Sequence, residues 1–309
     1  MGIVFSTNKT NESDRKRKIE RQPSDEVPFK FVNILISLRK RLKSTYKHVY
    51  CELFEKGEGS DISIYALGET WNLHKIFIKQ CPFFSTMFNG KWRESDLDQI
   101  ELDISDPYVT KESLNILFGS FYSDKLEINQ SNVIHVLAAA NWFNMLDIRE
   151  ICQNFMIRGL RSDTLSRYFN VGDRYSLQNL KYSCIRWLSR SLVLLENNEK
   201  DFNLLKEISL ELMESVIENP TTIVISMEQD IFLTLMKWMY LKRNQNVKFD
   251  ESADLLNKSF EYFSNEKPNF LQSPEGNEYY RLFKLIRLEN IVNTQKSALR
   301  MLKDEIIPL

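Results

Sequence analysis

The chain has 309 residues, of which 43% are hydrophobic and 27% are charged, and its net charge is −1 at pH 7. These values are typical of a globular protein with enough residues for about two or three hydrophobic cores. No apolar run reaches about 18 residues, so the sequence predicts no transmembrane helix.

The first 28 residues are polar and basic, and we interpret them as a disordered arm with almost nothing to bury. Basic clusters of this kind bind anionic surfaces or act as nuclear import signals, although many are only solvated. Nucleic-acid binding is not expected, because the cluster has no interleaved aromatic residues and the rest of the chain is acidic overall. The nuclear-import candidates are Arg15, Lys16, Arg17 and Lys18.

Gly2 and Ser6 match the pattern for N-myristoylation, in which the acyl chain is attached to Gly2. A single acyl chain holds a protein on a membrane only marginally. The basic cluster would therefore have to supply the second membrane signal. A chance match to so short a pattern is the alternative.

A mixed β/α block follows a first helix predicted over residues 29–55 and a turn at Gly57–Gly59. Alternating apolar residues predict strands over Ser60–Leu67 and Thr70–Leu73. The same alternation at Ile100, Leu102 and Ile104 predicts a third strand. Helices are predicted over residues 112–122 and 132–144.

The second half of the chain predicts stacked helices, with no convincing strand beyond residue 163. Apolar residues there recur at three- and four-residue steps, which is the spacing of a core-facing helical stripe. The last predicted helix covers residues 279–302. The stripes are Leu177, Leu180, Cys184, Trp187 and Leu188; Ile208, Leu212 and Val216; Ile231, Leu235 and Trp238; and Leu282, Leu285, Ile286 and Ile291.

No set of residues predicts catalysis, a metal site or a cofactor site. The phosphate-binding glycine motifs, the H-E-x-x-H motif and the C-x-x-C motif do not occur in the sequence. His74 has no second histidine, cysteine or aspartate at a usable spacing, so we interpret it as structural. Four widely spaced cysteines, each in an apolar pattern, predict reduced core thiols and not a disulfide framework.

Two sets of residues match known domain patterns: the first is Asp61, His74, Lys75, Phe84, Met87, Phe88, Phe121, Tyr122, the run Leu137–Ala140 and Cys152, and the second is Glu228, Asp230 and Trp238. Through the first set the chain resembles a BTB (POZ) domain over residues 50–159, and through the second the next hundred residues resemble the helical BACK domain. A-L-G-E at residues 66–69, F-G-S-F-Y at residues 118–122, the Met-Gly start and the segment 283–308 make the chain most similar, within that class, to the germ cell-less family.

The resemblance implies an α+β fold, in which a BTB/POZ domain with a small sheet and helices is followed by an all-α BACK domain. The expected domains are a disordered basic arm (1–28), an N-terminal helix with the BTB domain (29–159), a BACK domain (160–265) and a C-terminal helical segment (266–309). Family members usually continue beyond this point, so we expect a client-binding region to be missing here.

The resemblance also implies a non-catalytic adaptor that forms a homodimer and joins a Cullin-3 ubiquitin ligase to an unidentified protein client in germ-cell development. It implies a location in the nucleus or at the nuclear envelope, with the cytoplasm as second choice. The alternative is a nuclear-envelope scaffold or transcriptional co-regulator that uses the same dimer without ubiquitin transfer.

Two groups of site residues follow from the resemblance. Asp61 and Lys75 are expected to form a mutually dependent charge pair close to the dimer interface, since a buried unpaired charge is costly; two solvated charges are the alternative. The cullin is expected to contact residues 107–114, 121–122 and 141–146, with exposed aromatic side chains as anchors. The candidates for this contact are Tyr108, Phe121, Tyr122 and Phe143. The alternative for each of them, and for Phe121 in particular, is a buried position in the core.

Overall fold

The computed structural model describes residues 45–90, 97–123, 125–195, 198–219, 228–265 and 270–286. The predicted basic arm, with Gly2 and the Arg15–Lys18 cluster, lies outside the described residues. So do residues 29–44 of the first predicted helix and everything after Ile286.

A three-stranded sheet forms the centre of the first half. Its strands are β1 (Ile62–Ala66), β2 (Glu69–Leu73) and β3 (Gln99–Leu102), in the order β2-β1-β3. Strand β1 is antiparallel to β2 and parallel to β3. The turn between β1 and β2 has positive φ at Leu67 and Gly68, as a tight two-residue hairpin requires.

The alternation predicted from the sequence is confirmed in β1, where Ile62, Ile64 and Ala66 are all buried. Strand β3 is shorter than predicted: it ends at Leu102, and Ile104 lies beyond it but is still buried. The apolar alternation follows the burial of side chains, so it can continue where the strand pairing has ended. The predicted third strand is therefore confirmed in place but not in length.

Helices surround the sheet. A single α-helical turn, α1 (Thr45–His48), is followed by a π-helix at Val49–Glu55. The next helices, in chain order, are α2 (Lys75–Ile78), α3 (Pro82–Asn89), α4 (Lys111–Ser120), α5 (Val133–Trp142) and α6 (Leu146–Arg158). Helices α4 and α5 match the helices predicted over residues 112–122 and 132–144.

The second half of the described chain is helical and contains no described strand, as the sequence predicts. Three 3₁₀ segments, Leu192–Leu194, Phe249–Asp254 and Phe270–Gln272, lie between α-helices. The α-helices are α7 (Leu165–Arg174), α8 (Gln178–Ser191), α9 (Glu199–Glu207), α10 (Leu210–Glu218), α11 (Glu228–Arg243), α12 (Leu255–Asn265) and α13 (Asn277–Leu285).

Three of the predicted apolar stripes face the core. Leu180, Cys184 and Leu188 of α8 are buried, and so are Leu212 and Val216 of α10 and the stripe of α11. Ile208 is buried too, but it precedes α10, so the predicted stripe begins before its helix does. Trp238 Nε1 donates a hydrogen bond to the backbone oxygen of Ile208 at 3.2 Å, which satisfies its only polar group inside the core.

The last predicted helix is wrong in length. Helix α13 ends at Leu285, because Ile286 adopts extended backbone, with φ −79° and ψ 133°. Leu282 and Ile286 are buried all the same, whereas Leu285 is exposed. The burial predicted by this stripe is therefore confirmed at Leu282 and Ile286 but wrong at Leu285, and the stripe does not specify where the helix stops.

Candidate partner-binding surface

Tyr108 lies in the loop between β3 and α4, and its side chain is 37% exposed. Two hydrogen bonds hold the backbone of Tyr108. The backbone N–H of Tyr108 donates to Oδ1 of Asp106 at 2.9 Å, and its backbone oxygen accepts a hydrogen bond from Nδ1 of His135 in α5 at 2.7 Å. The loop is thus rigid where it presents an aromatic ring to solvent.

The loop ends in a helix cap. The Thr110 side chain accepts from the backbone N–H of Ser113, and the Ser113 hydroxyl accepts from the backbone N–H of Thr110, so each residue satisfies one donor of the other. Reciprocal caps of this kind fix the angle at which a chain enters a helix. Residues 106–113 therefore form one ordered segment.

Asp106 links this loop to the helical second half. Its side chain is only 17% exposed. Oδ2 accepts a hydrogen bond from the Tyr175 hydroxyl at 2.9 Å, and Oδ1 lies 3.5 Å from Nη2 of Arg174. The Arg174 guanidinium also lies over the ring of Tyr108, 5.0 Å from its centroid. We call Asp106, Tyr108, Arg174 and Tyr175 the junction cluster.

The electrostatics of the cluster keep the Tyr175 hydroxyl protonated. Burial raises the pKa of Tyr175, and the neighbouring Asp106 carboxylate raises it further. The hydroxyl is therefore a permanent donor to Asp106. Arg149 of α6 adds a second tie, because its Nη2 donates to the backbone oxygen of Tyr175 at 3.2 Å.

The other aromatic residues expected at the cullin contact are buried in the isolated chain. Phe143 is 0% exposed; its ring packs on Phe84 and Phe118, and its backbone oxygen lies 3.5 Å from the Cys81 thiol. The expectation of exposure at Phe143 is wrong, because this residue ends α5 with its ring turned into the core. Phe121 and Tyr122 are also buried, so neither ring offers an exposed anchor.

Asp61 and Lys75 meet in a different way from the one expected. The Asp61 carboxylate accepts a hydrogen bond at 2.6 Å from the backbone N–H of Lys75, at the start of α2. The Lys75 ammonium lies 3.8 Å from Asp98. Asp61 is exposed in the described single chain, and the mutually dependent charge pair stays a prediction. Whether the two residues lie at a dimer interface stays a prediction.

His74 occupies a buried corner between β2 and α2. Its backbone N–H donates to the Tyr122 hydroxyl at 2.8 Å, while its Nδ1 lies 3.0 Å from the same oxygen. Its Nε2 lies 2.9 Å from the backbone oxygen of Glu58. Both ring nitrogens are thus used inside the fold, which agrees with the structural interpretation of this histidine.

The described residues offer no group of three or more His, Cys, Asp or Glu side chains that could hold a metal ion. None of the helices in that part of the chain has the length and apolarity needed to cross a membrane. Cys81, Cys152 and Cys184 are free, buried thiols, and burial raises the pKa of Cys152 and of Cys184 to about 12, so both thiols stay protonated near neutral pH.

The sequence did not point to Asp106, Arg174 or Tyr175. Asp106 followed by Pro107 is a recognisable turn signal, and it could have indicated a side chain that caps its own loop. Its partner Tyr175 is 69 residues away, and nothing in the spacing of the two residues reports their contact.

Comparison with known proteins identifies the first half of the molecule. A family model described as "BTB/POZ domain" matches residues 50–160, which include the sheet and helices α2–α6. "Germ cell-less protein-like 1" of Homo sapiens is 35% identical over 279 residues, which is 87% of this chain and 52% of the human protein. "Protein germ cell-less" of Drosophila melanogaster is 31% identical over 294 residues, with 87% and 51% covered.

The chain belongs to the germ cell-less family of BTB proteins. It spans about half the length of the curated family members that it matches. A more distant similarity connects it to "Kelch-like protein 40" of Xenopus laevis, at 25% identity over 182 residues, or 59% of this chain and 28% of that protein. In this germ cell-less family member, Tyr108 lies inside the matched BTB domain, and Arg174 and Tyr175 lie outside it.

Proposed function

We propose that this chain is a non-catalytic adaptor that dimerises through its BTB domain and joins a Cullin-3 ubiquitin ligase to a protein client in germ-cell development. The BTB match and the similarity to a Kelch-like protein support this class of function. The helical region after residue 160 is then the BACK domain, and it extends the surface that the BTB domain offers to the cullin. The client stays unidentified.

The observation that carries the proposal is the presentation of Tyr108. A partly exposed aromatic ring, on a loop held by Asp106 and His135, is the kind of preorganised anchor that dominates binding energy at interfaces. The loop loses little conformational freedom on binding, because its backbone is already fixed.

The proposed homodimer would use a surface separate from the one around Tyr108. Asp61 and Lys75 lie at the corner between β2 and α2, where both side chains are at least partly accessible to a second copy of the chain. Charged groups at such a position set the register of two copies more than they add affinity.

We propose the nucleus or the nuclear envelope as the location, with the cytoplasm as second choice. Arg15, Lys16, Arg17 and Lys18 would act as an import signal or as the second membrane signal beside a myristoylated Gly2. A Gly2→Ala variant that keeps the wild-type distribution in cells would argue against acylation.

The second candidate is a nuclear-envelope scaffold or transcriptional co-regulator that uses the same dimer without ubiquitin transfer. One observation favours it: three of the four aromatic residues expected at the cullin contact are buried, which leaves Tyr108 as the exposed one among them. A smaller aromatic surface is compatible with a protein that does not bind a cullin.

Binding of the purified chain to the cullin N-terminal domain separates the two candidates. The adaptor should bind with a Kd in the low micromolar range or below, and Tyr108→Ala should weaken binding by at least about tenfold, because a buried anchor is worth about 2 kcal/mol or more. Tyr182→Ala is the matched control, because Tyr182 of α8 is 57% exposed and lies outside the expected contact.

Light scattering on the same samples measures the dimer. A chain that dimerises but shows no cullin binding at micromolar concentration would favour the scaffold over the adaptor. Equal weakening by Tyr108→Ala and Tyr182→Ala would remove Tyr108 as the anchor.

A further inference from the structure

The junction cluster joins two parts of the molecule that the sequence treats as separate domains. Asp106 and Tyr108 belong to the loop after β3, inside the region that matches the BTB model. Arg174 and Tyr175 lie at the end of α7, outside that region. They are joined by a 2.9 Å hydrogen bond from the Tyr175 hydroxyl and a 3.5 Å ion pair with Arg174, both to the mostly buried Asp106 carboxylate.

The contacts of Tyr175 and Arg174 with Asp106 restrain Tyr108 through one intervening residue. Asp106 Oδ1 accepts from the Tyr108 backbone N–H, while Oδ2 of the same carboxylate accepts from the Tyr175 hydroxyl. Rotation of the Asp106 side chain would therefore break both bonds together. Arg174 adds a second route, because its guanidinium lies over the Tyr108 ring and also approaches Asp106.

The end of α7 is itself held in a conformation with little freedom. Ser176, directly after Tyr175, has a positive φ of 55°, which is unfavourable for a residue other than glycine. The following backbone N–H, that of Leu177, returns to the Gly172 oxygen at 2.7 Å. Arg149 fixes the Tyr175 carbonyl from α6. Tyr175 therefore approaches Asp106 from a rigid support.

We propose that α7 is a positioning element for the Tyr108 loop: Arg174 and Tyr175 at its C-terminal end hold Asp106, and through it the backbone of Tyr108. The inference rests on the function proposed above. Tyr108 touches the cullin in this arrangement; Asp106, Arg174 and Tyr175 act through it.

The arrangement gives the helical region an indirect part in binding. A domain that only added contact area would contribute through its own exposed residues. Here α7 contributes by holding a residue of the neighbouring domain. Loss of the Tyr175 hydroxyl should therefore weaken binding at the surface of the BTB domain. Ordered hydrogen-bond networks can couple a residue in one domain to a binding surface in another in this way.

Tyr175→Phe in the full chain tests the inference, since it removes only the hydroxyl that donates to Asp106. We expect the Kd for the cullin N-terminal domain to rise by about 3- to 30-fold, the range typical of residues that act through a coupled network. Tyr182→Phe is the matched control, because it removes an exposed tyrosine hydroxyl from the neighbouring helix α8 and should leave the Kd unchanged.

Two further measurements separate positioning from a general loss of stability. Amide hydrogen exchange at Tyr108 and Val109 should become faster in Tyr175→Phe, whereas exchange in β1 should not change. In a Tyr108→Ala background, Tyr175→Phe should have little additional effect on the Kd, because the route through Tyr108 is already lost.

The outcomes are distinct. Weaker binding with faster exchange at Tyr108, both absent in the control, supports the inference. Unchanged binding, or weaker binding without faster exchange, overturns it. If the wild-type chain does not bind the cullin domain, the proposed function fails; exchange at Tyr108 in Tyr175→Phe then decides the positioning claim alone, with faster exchange supporting it and unchanged exchange overturning it.

Discussion

At the scale of single residues, His74 and Tyr122 form a buried polar pair whose hydrogen bonds follow from their partners. The Glu58 backbone oxygen can only accept, so Nε2 of His74 carries a proton and donates to it. In the tautomer with its single ring proton on Nε2, Nδ1 is an acceptor, and the Tyr122 hydroxyl donates to it while accepting from the His74 backbone N–H. A single hydroxyl satisfies two buried groups of the β2–α2 corner.

Tyr122→Phe should therefore destabilise the fold more than the loss of one hydrogen bond suggests. It leaves the His74 backbone N–H and Nδ1 without partners in a buried site, at a cost of about 1–3 kcal/mol. Urea unfolding measures the change. Tyr182→Phe, at an exposed position, should stay within about 0.5 kcal/mol of the wild type. Equal stability of the two variants would contradict the role of the Tyr122 hydroxyl.

The ionisation of Tyr122 makes the free energy of unfolding depend on pH in a defined direction. Burial raises the pKa of Tyr122 to about 12, against about 10 for tyrosine in an unfolded chain. Between these values the folded chain keeps the proton and the unfolded chain loses it, so the contribution of Tyr122 to stability falls as pH rises. The stability difference between the wild type and Tyr122→Phe should shrink from pH 10 to pH 12; a constant difference would refute this.

Two substitutions at Asp61 separate the effect of its charge from the effect of its hydrogen bond. Asp61→Asn keeps an acceptor for the Lys75 backbone N–H, whereas Asp61→Ala leaves that donor of the first turn of α2 to water. We expect Ala to cost about 1 kcal/mol and Asn less than about 0.5 kcal/mol in urea unfolding. Light scattering on Asp61→Asn then tests the dimer separately: an unchanged dimer affinity would count against a charge at the interface.

At the scale of elements, the turn between the π-helix and β1 depends on two glycines with positive φ. Gly57 has φ +68° and Gly59 has φ +72°. A Cβ on Gly57 would lie 2.9 Å from Cβ of Asn72 in β2, whereas a Cβ on Gly59 would meet only the far end of His74 at 3.9 Å. The two positions share the backbone requirement and differ in space.

Gly59→Ala should therefore cost about 1–2 kcal/mol through backbone strain alone. Gly57→Ala should cost more, because the added methyl group also pushes the turn away from β2. Thermal or urea unfolding of both variants, side by side, checks the order. If Gly59→Ala proved the more destabilising, the close approach to Asn72 would not matter in solution.

The elements themselves were largely predictable from the sequence, and the site was not. Strand β1 and helices such as α8 follow from apolar periodicity, because burial on one face determines which residue types are tolerated there. Phe143 shows the limit: an aromatic residue at the end of a helix can turn into the core or out to solvent, and the sequence does not distinguish the two. Tyr108 was expected to be exposed, and it is.

At the scale of the whole molecule, the described residues between Val49 and Ile286 form one compact unit. Helix α6 of the BTB-matched region packs directly against α8 of the helical region. Buried apolar residues from Phe54 to Ile286 form one connected cluster. The junction cluster adds polar contacts between the same two regions.

Such a molecule should unfold in a single cooperative transition, because opening the helical region would expose the apolar face of α6 to water. Urea titration with pulsed hydrogen exchange follows α5 and α8 in the same sample, and the two helices should lose protection at the same midpoint. Tyr175→Phe should leave the two midpoints equal to each other, since the junction cluster contacts both regions. Loss of α8 at a lower urea concentration than α5 would show that the helical region opens by itself, and its hold on Tyr108 would then be lost while the BTB domain stayed folded.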